Sequence, residues 1–118
     1  ERLSTGTKDP LFARAVVFQQ GRETAALVFC DLLGVPLDIS VAAREKIKEM
    51  TGIPVANIAI TGTHTHTGPL YFTLLSDYFH ERAVAKNGSD PYGSAPYRAA
   101  LIEKLADAVS QAKAALGR

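Results

Sequence analysis

Residues 58–70 read IAITGTHTHTGPL and place two of the chain's three histidines, His64 and His66, two positions apart. The apolar run at their start predicts a short buried strand that ends near Gly62. If the chain stays extended as far as Thr65, the side-chain period of two points both imidazoles to one side, with Cα atoms about 7 Å apart. The Gly-Pro pair that follows predicts a turn away from the strand.

A pair of converging imidazoles is typical of a metal site or an acid/base site. Imidazole is the commonest protein ligand for zinc, and its unperturbed pKa lies nearest neutrality. Two histidines at this spacing are also frequently a chance pairing of surface or core residues. The threonines Thr63, Thr65 and Thr67 favour a site, because a hydroxyl can fix an imidazole tautomer or hydrogen-bond a ligand.

The region before this stretch predicts a β-hairpin. Residues 11–19 are largely apolar with one charge, Arg14, residues 24–30 form a second apolar run, and Gly21 lies in the turn between them. The unbroken run at 27–30 predicts a central strand covered on both faces. Arg14 in such a strand is most often an edge or solvated residue, and a role in the site is the alternative.

A helix is predicted after the hairpin, with Asp38 as its N-cap and Gly52 and Pro54 ending it. Its apolar residues recur every three or four positions and are interpreted as core: Ile39, Ala43, Ile47 and Met50.

Strand, helix and the strand at 57–62 make a β-α-β unit, whose two strands run parallel. Their carboxyl ends meet at one edge of the sheet, where open α/β sheets bind ligands. We therefore expect Asp31, which ends the second strand, to be a neighbour of His64. Its carboxylate would either orient an imidazole and belong to the site or make a loop hydrogen bond.

Two more helices are expected after Pro69. The first ends by Gly88, and its apolar stripe is interpreted as packing: Tyr71, Leu74, Leu75, Tyr78 and Phe79. His80 is expected to be an exposed polar residue. A loop at 86–96 leads to a last helix that begins at Ser94 and Pro96, with the stripe Leu101, Leu105, Val109, Ala112 and Leu116. The prediction for residues 1–118 is one α/β domain, a small mixed sheet with a β-hairpin, a β-α-β unit and a long C-terminal helix.

The composition excludes several other functions. Thirteen basic and twelve acidic residues give a net charge of +1 without a basic run, so nothing indicates a nucleic acid or a charged membrane surface as partner. There is no apolar run long enough for a transmembrane segment. The single cysteine, Cys30, excludes an internal disulfide framework and leaves the compartment open.

Three segments together resemble the amino-terminal region of the neutral/alkaline, non-lysosomal ceramidase family. They are DPLFARA at 9–15, DLLG at 31–34 and NIAITGTHTHTGP at 57–69, in the right order and spacing. The resemblance implies a zinc amidohydrolase in which metal-activated water cleaves ceramide to sphingosine and a fatty acid. It implies His64 as a zinc ligand, and His66 as a catalytic residue that hydrogen-bonds the bound water or the developing oxyanion.

The resemblance further implies that this chain is the N-terminal fragment of a longer parent. The other zinc ligands, a histidine, a glutamate and a tyrosine, would come from the remainder of the parent polypeptide. A catalytic zinc needs about three protein ligands, so we expect the isolated chain neither to bind zinc tightly nor to hydrolyse a lipid amide. Residues 70–73 differ from the glycine and aromatic residues that usually follow in ceramidases. This difference argues against ceramide as the substrate more than against the hydrolase class.

Two other functions are compatible with the residues. One is a different His-x-His metallohydrolase, such as a barrel amidohydrolase whose first strand ends in the pair. The hairpin and the β-α-β unit ahead of the pair disfavour that barrel. The other is a non-catalytic α/β interaction module in which the histidines are incidental.

Overall fold

The computed structural model describes residues 6–91 and 93–117, without the side chain of Thr73. The elements of this part of the chain are β1 (Ala13–Gln20), β2 (Glu23–Cys30), α1 (Leu37–Thr51), β3 (Ile58–Gly62), α2 (Thr73–Asn87) and α3 (Ala95–Ala114). A short 3-10 turn at Val55–Asn57 leads into β3. The predicted class is confirmed, an α/β fold with a small mixed sheet and a long last helix.

The first two strands form the predicted hairpin. β1 and β2 pair antiparallel, from Ala13 opposite Cys30 to Gln20 opposite Glu23. The turn between them contains two residues, and Gly21 adopts a φ of 59°. A turn this tight needs the left-handed region, which glycine enters without a steric cost.

The third strand pairs with β2 and runs parallel to it, as the β-α-β pattern predicts. The register runs from Ala26 beside Ile58 to Cys30 beside Gly62, and the strand order is β1-β2-β3. Because β2 and β3 end level with each other, the segments that follow them start side by side.

Helices α1 and α3 cover one face of the sheet. The buried core joins the inward side chains of the strands to both helices: Ala26, Val28, Cys30, Ile58, Ile39, Ala43, Ile47, Leu105, Ala106 and Val109. Polar contacts also join the two helices, since Arg98 of α3 pairs with Asp38 of α1 and Lys113 donates to the carbonyl of Thr51. The packing role predicted for the stripe of α3 is confirmed at its centre, where Leu105 and Val109 are fully buried.

Two details of α1 differ from the prediction. The helix begins at Leu37 with Pro36 in the N-cap position, so Asp38 lies in the first turn and does not cap it. Met50 is 42% exposed, and Thr51 occupies the core position instead. The spacing of four residues that links Ile39 to Ile47 continues to position 51. The Thr51 hydroxyl tolerates burial because it donates to the carbonyl of Ile47 at 2.6 Å.

The prediction that β2 is covered on both faces is wrong for the described residues. Leu27 and Phe29 are 38% and 41% exposed, and Val16 and Phe18 of β1 point to the same side. We call these four outward side chains the uncovered sheet face. Both covering helices lie on the other side, so the period of two in a strand separates buried from exposed residues.

The stripe of α2 is also exposed, contrary to its interpretation as packing. None of the described side chains of α2 is buried, and Leu74 is 88% exposed. Tyr71, which precedes the helix, is the member of the stripe that joins the core. No helix in the described part of the chain is long and apolar enough to cross a membrane.

Candidate functional site

The two imidazoles meet just beyond the end of β3. Their ring centroids are 4.9 Å apart, and the ring planes stand at 85°. The backbone does not reach this arrangement by staying extended to Thr65, as predicted from the sequence. His64 has a φ of 65°, the only positive value at a non-glycine residue among those described. A left-handed φ at such a residue is uncommon and is found disproportionately at functional sites.

Backbone hydrogen bonds join the segment after β3 to the segment after β2. Thr63 N–H donates to the carbonyl of Cys30 at 2.9 Å, and His64 N–H donates to the carbonyl of Leu32 at 3.0 Å. Gly62 is needed for this close approach, because a Cβ there would lie 2.7 Å from the Leu32 carbonyl oxygen. The parallel pairing of β2 and β3 therefore places His64 next to residues 31–34.

A backbone carbonyl selects the tautomer of His64. Its Nδ1 lies 2.9 Å from the carbonyl oxygen of Leu33. A carbonyl only accepts hydrogen bonds, so Nδ1 carries a proton and Nε2 of the neutral ring keeps its lone pair. The sequence did not predict a role for Leu33, because the acceptor is a backbone carbonyl and every residue type has one.

Asp31 is bonded to the segment that carries the pair, as expected from the β-α-β unit, and it makes loop hydrogen bonds, one of its two predicted roles. Its carboxylate accepts the Phe12 N–H at 3.0 Å and the Thr63 hydroxyl at 3.2 Å. Arg14 lies 3.6 Å away. The Phe12 N–H, and to a smaller extent Thr63 and Arg14, hold the pKa of Asp31 below its ordinary value. These described contacts do not include a bond from Asp31 to either imidazole.

Arg14 is at the margin of this site. Its side chain is 62% exposed and stacks its guanidinium 4.6 Å from the centroid of the Phe12 ring. The edge or solvated role predicted for Arg14 therefore fits its exposure, while its position beside Asp31 keeps it next to the histidines.

Thr65 and Thr67 bond to each other. Their hydroxyl oxygens are 3.1 Å apart, and Thr67 N–H approaches the Thr65 oxygen at 3.4 Å. These contacts stabilise the turn that carries His66, whereas the tautomer role expected of a threonine belongs to the Leu33 carbonyl.

His80 does not join the pair and is exposed, as predicted. Its Nδ1 lies 2.9 Å from a carboxylate oxygen of Asp90. It lines an open groove of about 680 Å³ between α2 and the segment that follows it, and the lining does not include His64 or His66. We place the candidate site at the pair, because two imidazoles converge there on the carboxyl edge of parallel strands.

The described residues contain no group of three histidine, cysteine, aspartate or glutamate side chains that could hold a metal ion. Cys30 ends β2 close by, but its thiol donates to the carbonyl of Thr61 at 3.3 Å. Burial, and then the charge of Asp31, raise the pKa of Cys30 to about 11. The donors that this site offers a metal are therefore two imidazoles, which fit part of a zinc ligand set.

Comparison of the chain with known protein families, with curated proteins and with solved structures gives no match.

Proposed function

We propose that the chain is the N-terminal part of a zinc-dependent amide hydrolase of the ceramidase type, acting on a lipid amide such as ceramide. The observation that carries the proposal is the Nδ1–H of His64 held by the Leu33 carbonyl, with His66 in ring contact. Zinc-bound histidines almost always donate the other ring N–H to a carbonyl, a carboxylate or water. The sequence resemblance at residues 9–15, 31–34 and 57–69 supports the same class.

The two histidines have different roles in this proposal. His64 would hold the metal through Nε2, the nitrogen that its tautomer leaves free. His66, whose side chain is exposed beside it, would donate a hydrogen bond to the developing oxyanion or transfer a proton. Zinc bound there supplies a Lewis acid that polarises the amide carbonyl and lowers the pKa of a water. The other ligands would come from the remainder of the parent polypeptide.

The decisive experiment uses the full-length parent. Release of fatty acid from labelled ceramide is measured with and without a chelator, alongside zinc content. We expect His64→Ala to lose both zinc and activity, because it removes a ligand. His66→Ala should keep zinc and lose activity by about 100-fold or more, the usual effect of removing an oxyanion donor or a general acid/base. His80→Ala, outside the pair, is the matched control and should change neither.

The outcomes separate the parts of the proposal. Zinc bound through His64 without ceramide cleavage would retain the metallohydrolase and discard ceramide as substrate. Zinc content unaffected by His64→Ala would refute the assignment of His64 as a ligand.

A non-catalytic interaction module is the second candidate function. The exposed apolar side chains of the uncovered sheet face and of α2 favour it, because large exposed apolar patches commonly bind other proteins. The parent reading frame distinguishes the two candidates. A long continuation with another isolated histidine and a later glutamate and tyrosine supports the hydrolase, whereas a stop codon soon after position 118 supports the module.

A further inference from the structure

A single carboxylate joins the ends of all three strands. Asp31 directly follows β2. One of its oxygens accepts the N–H of Phe12, just before β1, and the other accepts the hydroxyl of Thr63, just after β3. The backbone N–H of Asp31 also donates to the carbonyl of Phe12 at 2.9 Å, so these two residues are bonded twice. The Asp31 side chain itself is 21% exposed.

The same segment also holds His64. Four hydrogen bonds connect residues 30–33 with residues 63 and 64: two from backbone N–H groups, one from the His64 ring to Leu33, and one from Thr63 to Asp31. Of these four, the Thr63–Asp31 bond is the one that a side-chain substitution can remove without touching His64. It anchors the residue immediately before the left-handed φ of His64. A backbone in that region persists only where surrounding contacts hold it.

We propose that Asp31 is a positioning residue, which holds Thr63 so that the His64 ring stays on the Leu33 carbonyl and presents Nε2. Its role toward a metal rests on the proposed function, while its effect on the tautomer of His64 does not. Partners bonded directly to a metal ligand typically change metal affinity by about 10- to 100-fold when they are mutated. Asp31 acts one bond further away, through Thr63, so its removal should change metal affinity by less.

The test compares Thr63→Val and Asp31→Ala with the wild-type chain. Valine keeps the shape of threonine and removes the hydroxyl, whereas alanine removes the carboxylate that accepts it. Thr61→Val is the matched control, because Thr61 is an exposed threonine of β3 whose hydroxyl contacts the adjacent Gly62 carbonyl. Thr63→Ser, which restores the hydroxyl, is the rescue variant.

The direct readout is the nitrogen NMR spectrum of the neutral His64 ring in the metal-free chain. The wild type, Thr61→Val and Thr63→Ser should show a protonated Nδ1 and a free Nε2. Thr63→Val and Asp31→Ala should show a mixture of tautomers, because the ring no longer stays on the Leu33 carbonyl. In the full-length parent, the same two variants should weaken zinc binding by less than the effect of a direct partner, at most about 10-fold.

A folded Thr63→Val or Asp31→Ala chain with the wild-type His64 spectrum would overturn the proposal. The amide spectrum of each variant reports folding, and the two variants perturb the same bond from opposite ends, so one folded variant is sufficient. A different result would show that the proposed function is wrong: the zinc content of the parent would be the same with and without His64→Ala.

Discussion

The two faces of the sheet are similarly apolar and very differently buried. On β2, Val28 is fully buried, whereas its neighbours Leu27 and Phe29 are 38% and 41% exposed. The difference comes from α1 and α3, which both pack on the side of Val28. The apolar composition of a strand therefore does not predict whether one or both of its faces are covered.

The helices repeat this contrast. α3 contributes fully buried Leu105 and Val109 to the core, while α2 exposes Leu74 and Leu75. An apolar sheet face ordinarily packs against another layer of structure. Two pairs of matched substitutions measure the difference between the covered and the exposed positions in solution, and a titration of Asp31 measures the bonds at the end of the sheet.

The largest effect is expected from truncating a leucine on the covered side. Leu105→Ala should lower the free energy of unfolding by about 2–5 kcal/mol, because it removes a fully buried side chain and leaves a cavity. Leu74→Ala, at 88% exposure, should change it by less than about 0.5 kcal/mol. Urea unfolding at one chain concentration makes the measurement. Equal losses for the two variants would show that α2 is covered in solution.

A smaller effect is expected from replacing valine with threonine on each face. The two side chains have nearly the same shape, so the exchange isolates the cost of a hydroxyl. Val28→Thr should lower the free energy of unfolding by about 1–3 kcal/mol, because it buries a polar group in the core. Val16→Thr, at 45% exposure, should stay within about 0.5 kcal/mol. If Val16→Thr proves as costly as Val28→Thr, the uncovered sheet face is not open to water.

The smallest effect is expected in acid, at Asp31 beside the exposed Arg14. Because the pKa of Asp31 is lower in the folded chain, its contribution to stability is complete above the ordinary value of 3.8. It is lost as the pH falls below that value, where the unfolded chain binds the proton more readily. The slope of stability against pH in this range should be shallower for Asp31→Asn than for the wild type. Val28→Thr should keep the wild-type slope, and an unchanged slope for Asp31→Asn would contradict the shifted pKa.

Much of the fold could be predicted from local patterns. The hairpin follows from two apolar runs around Gly21, and the parallel pairing of β2 and β3 follows from the helix between them. The position of Asp31 next to the residues after β3 follows from the same unit. The start of α1 and the exposure of Met50 could not be predicted from the spacing of residues. Pro36 takes the N-cap position that was expected for Asp38. Thr51 takes the core position that was expected for Met50, since its hydroxyl bonds to the Ile47 carbonyl.

The candidate site, like the fold, could be predicted from the sequence only in part. The sequence by itself determined which residues arrive at the carboxyl edge, since strand order and the spacing of His64 and His66 are properties of the chain. Only the tertiary structure decided how they are held there. The bond of the His64 ring to the Leu33 carbonyl and the bond of the Asp31 carboxylate to the Phe12 N–H each join a side chain to a backbone atom of a residue far away in sequence. Every residue type carries those backbone atoms, so no residue pattern records where they meet.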